Sequence, residues 1–263
     1  MRNKKLVYSL LIIIGLICGL SRTITFSASR IQTNEKVELV QIESPKIEQF
    51  IVCIDPGHQR KANLQKEPIG PGSSNTKIKV SGGTTGVVTK KPEYVLTLEA
   101  GLILKEQLEA KGMTVVMTRT TNDVNISNKE RAEIANKAKV DLFIRIHADG
   151  SNSSSTKGAS ILIPSKKNPY IKDTCEDSKK VAEFVLKRWK QNEKIKVNGL
   201  SYRDDITGFN WSKAPVFLPE MGFMTNKDED QKLSNPKYLK MLIQEIADGI
   251  EDYAKFKKNK KFD

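Results

Sequence analysis

The 263-residue sequence predicts an α/β fold, a single domain with a mostly parallel central sheet flanked by helices. Three observations predict it. Short runs rich in Val, Ile and Phe recur along the chain, each suited to a strand buried on both faces. Between them lie longer segments whose apolar residues return at helical spacing. No internal repeat and no leftover block of different composition marks a second module.

The elements follow in chain order. Residues 1–29 contain no acid, and Arg2, Lys4 and Lys5 precede an apolar run from Leu6 to Leu20. That pattern reads as a signal peptide or an N-terminal membrane anchor, because the run is shorter than a comfortable span. Ile17 before Cys18 argues against a lipid-modified cysteine. Residues 30–48 are polar and aperiodic, a linker, and residues 49–254 carry the α/β pattern.

Within it, Phe50–Ile54, Thr114–Thr118, Asp141–Ile146, Ala159–Ile163 and Pro215–Leu218 read as strands. Val95, Leu98 and Leu102 share a helical face, and Gly112 stands where a helix stop belongs. Ser127 and Glu130 form a capping box ahead of Ile134 and Ala138. Ser178, Val181, Ala182, Val185 and Trp189 make a further stripe. Asn235-Pro236 opens the last helix, with Tyr238, Leu242, Ile246, Ile250 and Tyr253 inward, and residues 255–263 form a basic tail. Gln59–Thr89 interrupts the alternation; it is Gly-, Pro-, Ser- and Lys-rich and far longer than the usual connection of about 2–6 residues.

Composition excludes several classes. Charged residues make up 29% and apolar residues 38%, which excludes a disordered chain and a multispan membrane protein. Three scattered cysteines are too few for a disulfide scaffold. The net charge of +13 drops to +9 without the leader's four basic residues, and suggests an anionic neighbourhood. No basic patch with interleaved aromatics points to nucleic acid. Membrane contact is expected only through the N-terminal segment.

The two histidines, His58 and His147, both follow apolar strands. Ligands of open α/β sheets gather at the carboxyl ends of strands, so neighbouring strands would bring the imidazoles together. Two neutral imidazoles suit a borderline-soft cation, and a catalytic zinc needs a third protein ligand beside an open position. Glu93, at the helix start after the long loop, is the candidate. A favourable charge on the helix dipole is its simpler reading, and Glu99 is a rival facing elsewhere. Glu220, ending another apolar strand, is the candidate proton shuttle. Asp55 reads as a turn-former, Arg119 and Arg131 as ion-pair partners, and Cys53 as a small buried hydrophobe.

At these residues the chain resembles the zinc-dependent N-acetylmuramoyl-L-alanine amidases of the Amidase_3 type. The matching stretches are IDPGH (54–58), PEYVLTLEAG (92–101), VVMTRTTND (115–123), ERAEIANKAKVDLFIRIHAD (130–149) and PVFLPEMGFMTNKDE (215–229). The resemblance implies that His58, Glu93 and His147 bind Zn2+ and that Glu220 is the catalytic carboxylate. It implies hydrolysis of the amide between muramic acid and the L-alanine of the stem peptide in peptidoglycan, outside the cytoplasm. With one catalytic domain the chain further resembles the CwlD-like spore-cortex amidases, and an activating accessory protein is expected. A general autolytic amidase, another exported zinc peptidase or deacetylase, and a non-catalytic wall-binding protein are the alternatives. The long loop, Gln59, Arg145 and Asp149 depart from the family pattern.

Overall fold

The computed structural model describes residues 50–260, so the leader and linker readings fall outside the described residues. Six strands form the central sheet: β1 (Ile51–Pro56), β4 (Thr114–Met117), β5 (Leu142–Asp149), β6 (Ala159–Pro164), β7 (Val197–Arg203) and β8 (Val216–Phe223). Their spatial order is β4-β1-β5-β8-β6-β7. The first four are mutually parallel, β6 runs antiparallel to β8, and β7 runs parallel to β6. The predicted mostly parallel sheet is what forms. The carboxyl ends of β1, β5 and β8 therefore lie side by side along one rim of the sheet, the arrangement that concentrates ligands in this architecture.

Helices cover both faces. On one lie α1 (Glu93–Ala110), α3 (Cys175–Gln191) and α6 (Pro236–Lys260), whose Leu104, Val185, Trp189 and Ile246 join Val52, Ile144 and Ile161 in the larger core. On the other lie α2 (Asn128–Lys137) and the single turn α4 (Thr207–Asn210), which bury Ala132, Ala135 and Phe209 against Cys53, Phe143 and Val216. A short helix, α5 (Lys227–Leu233), follows β8. Each fully buried large apolar side chain contributes about 1.5–3 kcal/mol. No helix among the described residues is long and apolar enough to cross a membrane.

The stripes of α3 and α6 are those the periodicity predicts. Two faces differ. Helix α1 buries Leu98 as expected, but its inward face is completed by Leu96, Ala100, Leu104 and Leu108, while the expected Val95 is half-buried and Leu102 is 44% exposed. Its apolar residues lie nearly all round, so spacing alone does not choose a side. Helix α2 has the predicted capping box at Ser127 and Glu130, but it buries Arg131, Ala132 and Ala135 instead of Ile134 and Ala138. Arg131 goes inward because a buried carboxylate awaits it. The basic run from Lys255 continues α6 to Lys260, with Lys257 paired to Asp177.

The long Gln59–Thr89 segment is not bare loop. It contains a two-stranded antiparallel hairpin, β2 (Asn63–Pro68) and β3 (Thr76–Val80). Glu67 accepts from the Lys129 N–H, and the Trp211 indole donates to the Pro68 carbonyl, pinning the hairpin beside α2 and α4. The Asp230 carboxylate closes the segment's far end by accepting from the backbone of Val88 and Thr89 and from the Thr89 hydroxyl.

Candidate metal centre

His58 leaves β1 on a Pro56-Gly57 turn with φ 62°, a left-handed conformation uncommon for a residue with a side chain. Gly57 makes the turn workable, because a Cβ there would fall inside the His147 ring. His147 lies within β5, which extends three residues past the expected end. Glu93 opens α1 and is 3% exposed.

These three side chains converge. His58 Nε2 lies 3.0 Å from Glu93 Oε1, and His147 Nδ1 lies 3.1 Å from both that oxygen and His58 Nε2. One ligand atom from each sits within 4.8 Å of the others. Glu99, the rival, is turned away and paired with Lys91 at 2.7 Å.

Supporting contacts orient each member. The Ser81 carbonyl, 3.0 Å from His58 Nδ1, can only accept, so that nitrogen carries the ring proton and the Nε2 lone pair points inward. Glu93 Oε2 accepts from the Thr84 N–H and Oε1 from the Ala148 N–H. Gly83 has φ +79°, and a Cβ there would approach Glu93 Oε2 to 2.8 Å. Burial holds the His147 pKa down to about 4, aided by His58 and opposed by Glu93, so its ring is neutral near pH 7. Burial works against ionising Glu93, but its close contacts with the His147 and His58 rings prevail and keep the carboxyl well below the usual range. Two imidazoles and a carboxylate each bring one nitrogen or oxygen donor into one small space, a donor set that fits a divalent cation.

Glu220 lies within β8, opposite His147 across the β5–β8 ladder. It lines, with the three candidate ligands, Asp149 and Arg203, an open cleft of about 520 Å³. Its Oε2 is buried with no hydrogen-bond partner among the described residues. Burial raises its pKa well above the ordinary carboxylate value, and the charges of Glu93 and Asp149 raise it further.

Beneath the rim lies a buried ion cluster that the sequence reading missed. Asp55 is fully buried and not a turn-former; it accepts from Arg131 Nη1 at 2.7 Å, Arg145 Nε at 2.9 Å and the Thr118 hydroxyl at 2.6 Å. Burial opposes its charge, yet both guanidiniums hold the carboxyl well below the usual range. Arg131, read as an ion-pair partner, is one. Arg119 instead donates to the carbonyls of Pro56, Gly57 and Tyr94, fastening the turn that carries His58. Gln59 accepts from the Ile126 N–H and Arg131, tying that turn to the approach to α2.

Two histidines and a carboxylate converging at the carboxyl rim of an α/β sheet form the layout that a metal-dependent hydrolase uses. Residues 52–252 match Amidase_3, N-acetylmuramoyl-L-alanine amidase, and the chain belongs to that family of peptidoglycan amidases. The N-acetylmuramoyl-L-alanine amidase Rv3717 of Mycobacterium tuberculosis is 27% identical over 211 residues, covering 75% of this chain and 85% of that protein. Several other curated relatives are longer, and the chain spans 41%, 37% and 57% of three of them. Among solved structures, the amidase Ami1 of Mycobacterium smegmatis superposes with a TM-score of 0.70 at 26% identity, over 78% of this chain and 96% of that one. The CwlD amidase of Clostridioides difficile, solved in complex with the GerS lipoprotein, shares the fold with a TM-score of 0.61 at 21% identity, over 77% and 97% of the two chains.

Proposed function

We propose that His58, Glu93 and His147 hold a zinc ion and that Glu220 moves the proton in hydrolysis of the muramoyl–L-alanine amide. The observation that carries this reading is the orphaned, buried Glu220 Oε2, which lines the same cleft as the three converging ligands. A buried carboxylate oxygen without a donor is costly unless it serves chemistry or a bound group.

Zinc bound there supplies Lewis acidity toward the amide carbonyl and the attacking water. The chain's own work is positional. Ser81, Thr84 and Ala148 fix His58 and Glu93, so little reorganisation accompanies binding. Glu220 Oε2 accepts a proton as water attacks and returns it to the departing alanine nitrogen, which leaves as a neutral amine. Its raised pKa makes Oε2 a stronger proton acceptor than an ordinary carboxylate, at the expense of a smaller ionised fraction in acid.

Residues 1–29 are assigned the export or anchoring of the chain and residues 30–48 the tether, which places the enzyme beside its wall substrate. The cortex role and an activating protein partner are extensions of the same reading. Their support is the sequence resemblance to CwlD-like enzymes; the complex with a lipoprotein is a property of the CwlD structure itself.

Metal analysis of the purified full chain tests the ligand set. Wild type and Glu220→Gln should each retain one zinc per chain, and Glu93→Ala should lower zinc affinity by about 100-fold or more. Full occupancy after Glu93→Ala would remove Glu93 from the site.

A further inference from the structure

A second chamber lies beside the cleft that holds the candidate ligands. It measures about 410 Å³ and lies between the β2–β3 hairpin on one side and the β7–α4 connection on the other. Ser81, Asn128, Arg145 and Ile206 line both spaces, so the two adjoin. Its walls carry Lys66, Lys77 and Arg145 against one acid, Asp205, with the hydroxyls of Thr76 and Thr207 between them.

The cations are not equally engaged. Lys77 Nζ is held by the Asp205 carboxylate at 2.7 Å. Arg145 is anchored from behind, with Nε on Asp55 Oδ2 at 2.9 Å and Nη2 on Asn128 Oδ1 at 2.7 Å, and Asp55 itself does not face the chamber. Lys66 is exposed and has no ion pair among the described residues. The chamber thus presents an excess of fixed and free positive charge over its single carboxylate, with donors on several sides.

The chemistry of the scissile bond decides what such a chamber can take. On the acyl side stands the lactyl ether of an N-acetylated sugar, whose carboxyl is consumed in the amide, so this arm is neutral. On the amine side runs a peptide with free carboxylates. Only the second arm gains from a cationic chamber.

We propose that this chamber is the stem-peptide subsite and that Lys66, with Arg145 behind it, selects for a free carboxylate on the residue following L-alanine. The proposal rests on the amidase reading. It also gives the hairpin a function: β2 brings Lys66 to the chamber, and β3 brings Thr76 and Lys77.

The test pairs binding with turnover. Two synthetic peptides, L-Ala-γ-D-Glu-L-Lys with the glutamate α-carboxyl free or amidated, are titrated into the zinc-loaded full chain by calorimetry. The corresponding muramoyl peptides are then assayed for hydrolysis. The free-carboxylate form should bind about fivefold tighter than the amidated form, with salt eroding the difference. Lys66→Ala should abolish that preference in both Kd and KM, and Lys66→Glu should reverse it. Equal binding of the two peptides to the wild type, or a preference untouched by Lys66→Glu, would overturn the proposal. Carboxylate-selective, Lys66-dependent binding without hydrolysis of either muramoyl peptide would support the subsite while counting against the amidase mechanism.

Discussion

His147 on β5 and Glu220 on β8 are direct Cα partners across a parallel ladder, and the register shifts just beyond them, between His147 and Asp149. Side chains of paired residues in neighbouring strands point to the same face of a sheet. One backbone relationship therefore sets a candidate metal-ligating imidazole beside the carboxylate proposed for proton transfer. Register shifts of this kind re-aim side chains near active sites, and this one comes where the two strands reach the cleft. The ladder alone sets the two side chains next to each other.

Replacing Glu220 by Gln preserves shape and removes the proposed base. Turnover should fall by about 100-fold to 10,000-fold, the usual contribution of a positioned general base. The wild-type kcat/KM should fall as pH drops through the raised pKa of Glu220, because the base must be ionised in the free enzyme. That acidic limb should be absent from the residual activity of Glu220→Gln. A pH–rate profile of the two proteins checks both points.

Asp55→Asn should destabilise the domain by about 3–5 kcal/mol, since it strands the Arg131 and Arg145 guanidiniums in the interior. Denaturant unfolding measures the loss. The pH dependence has a definite sign. Asp55 is depressed in the folded state, so its stabilisation is complete above the unfolded value near about 3.9 and is lost as pH falls below it. The variant should lack that part of the acid sensitivity.

Cutting back the hairpin separates wall from ligand support. Residues 64–78 replaced by a short Gly-Ser turn leave Ser81 and Thr84 in place, so zinc content should be unchanged. Turnover on peptidoglycan should drop by about tenfold, the equivalent of one good binding contact. Zinc analysis and a release assay on the same preparation decide it; unchanged turnover would show that the hairpin contributes nothing to substrate binding.

Much of the site was legible because rare residues stood at strand ends. With only two histidines in the chain, both after apolar runs, the topology had little freedom in where to bring them. The strands β1, β4, β5, β6 and β8 were visible as β-branched runs. The hairpin and β7 were not, for a physical reason: β2 (NLQKEP) and β7 (VNGLSYR) lack a continuous apolar face, and β7 lies at the sheet edge with Gly199 in its middle. The Asp55 cluster was hidden by distance along the chain. An acid inside an apolar strand, with Arg145 inside another, was the available signal, since neither charge can stand alone in a core. Ser81 escaped because its contribution to His58 is made by a backbone carbonyl, which no side-chain pattern reveals.

The most direct measurement incubates the purified full chain with peptidoglycan, zinc supplied and then chelated, and identifies the released products by mass spectrometry. The account predicts intact stem peptides with a free N-terminal L-alanine, released with zinc and not after chelation. Peptides cut within the stem, free acetate, or undiminished release in the presence of chelator would contradict it.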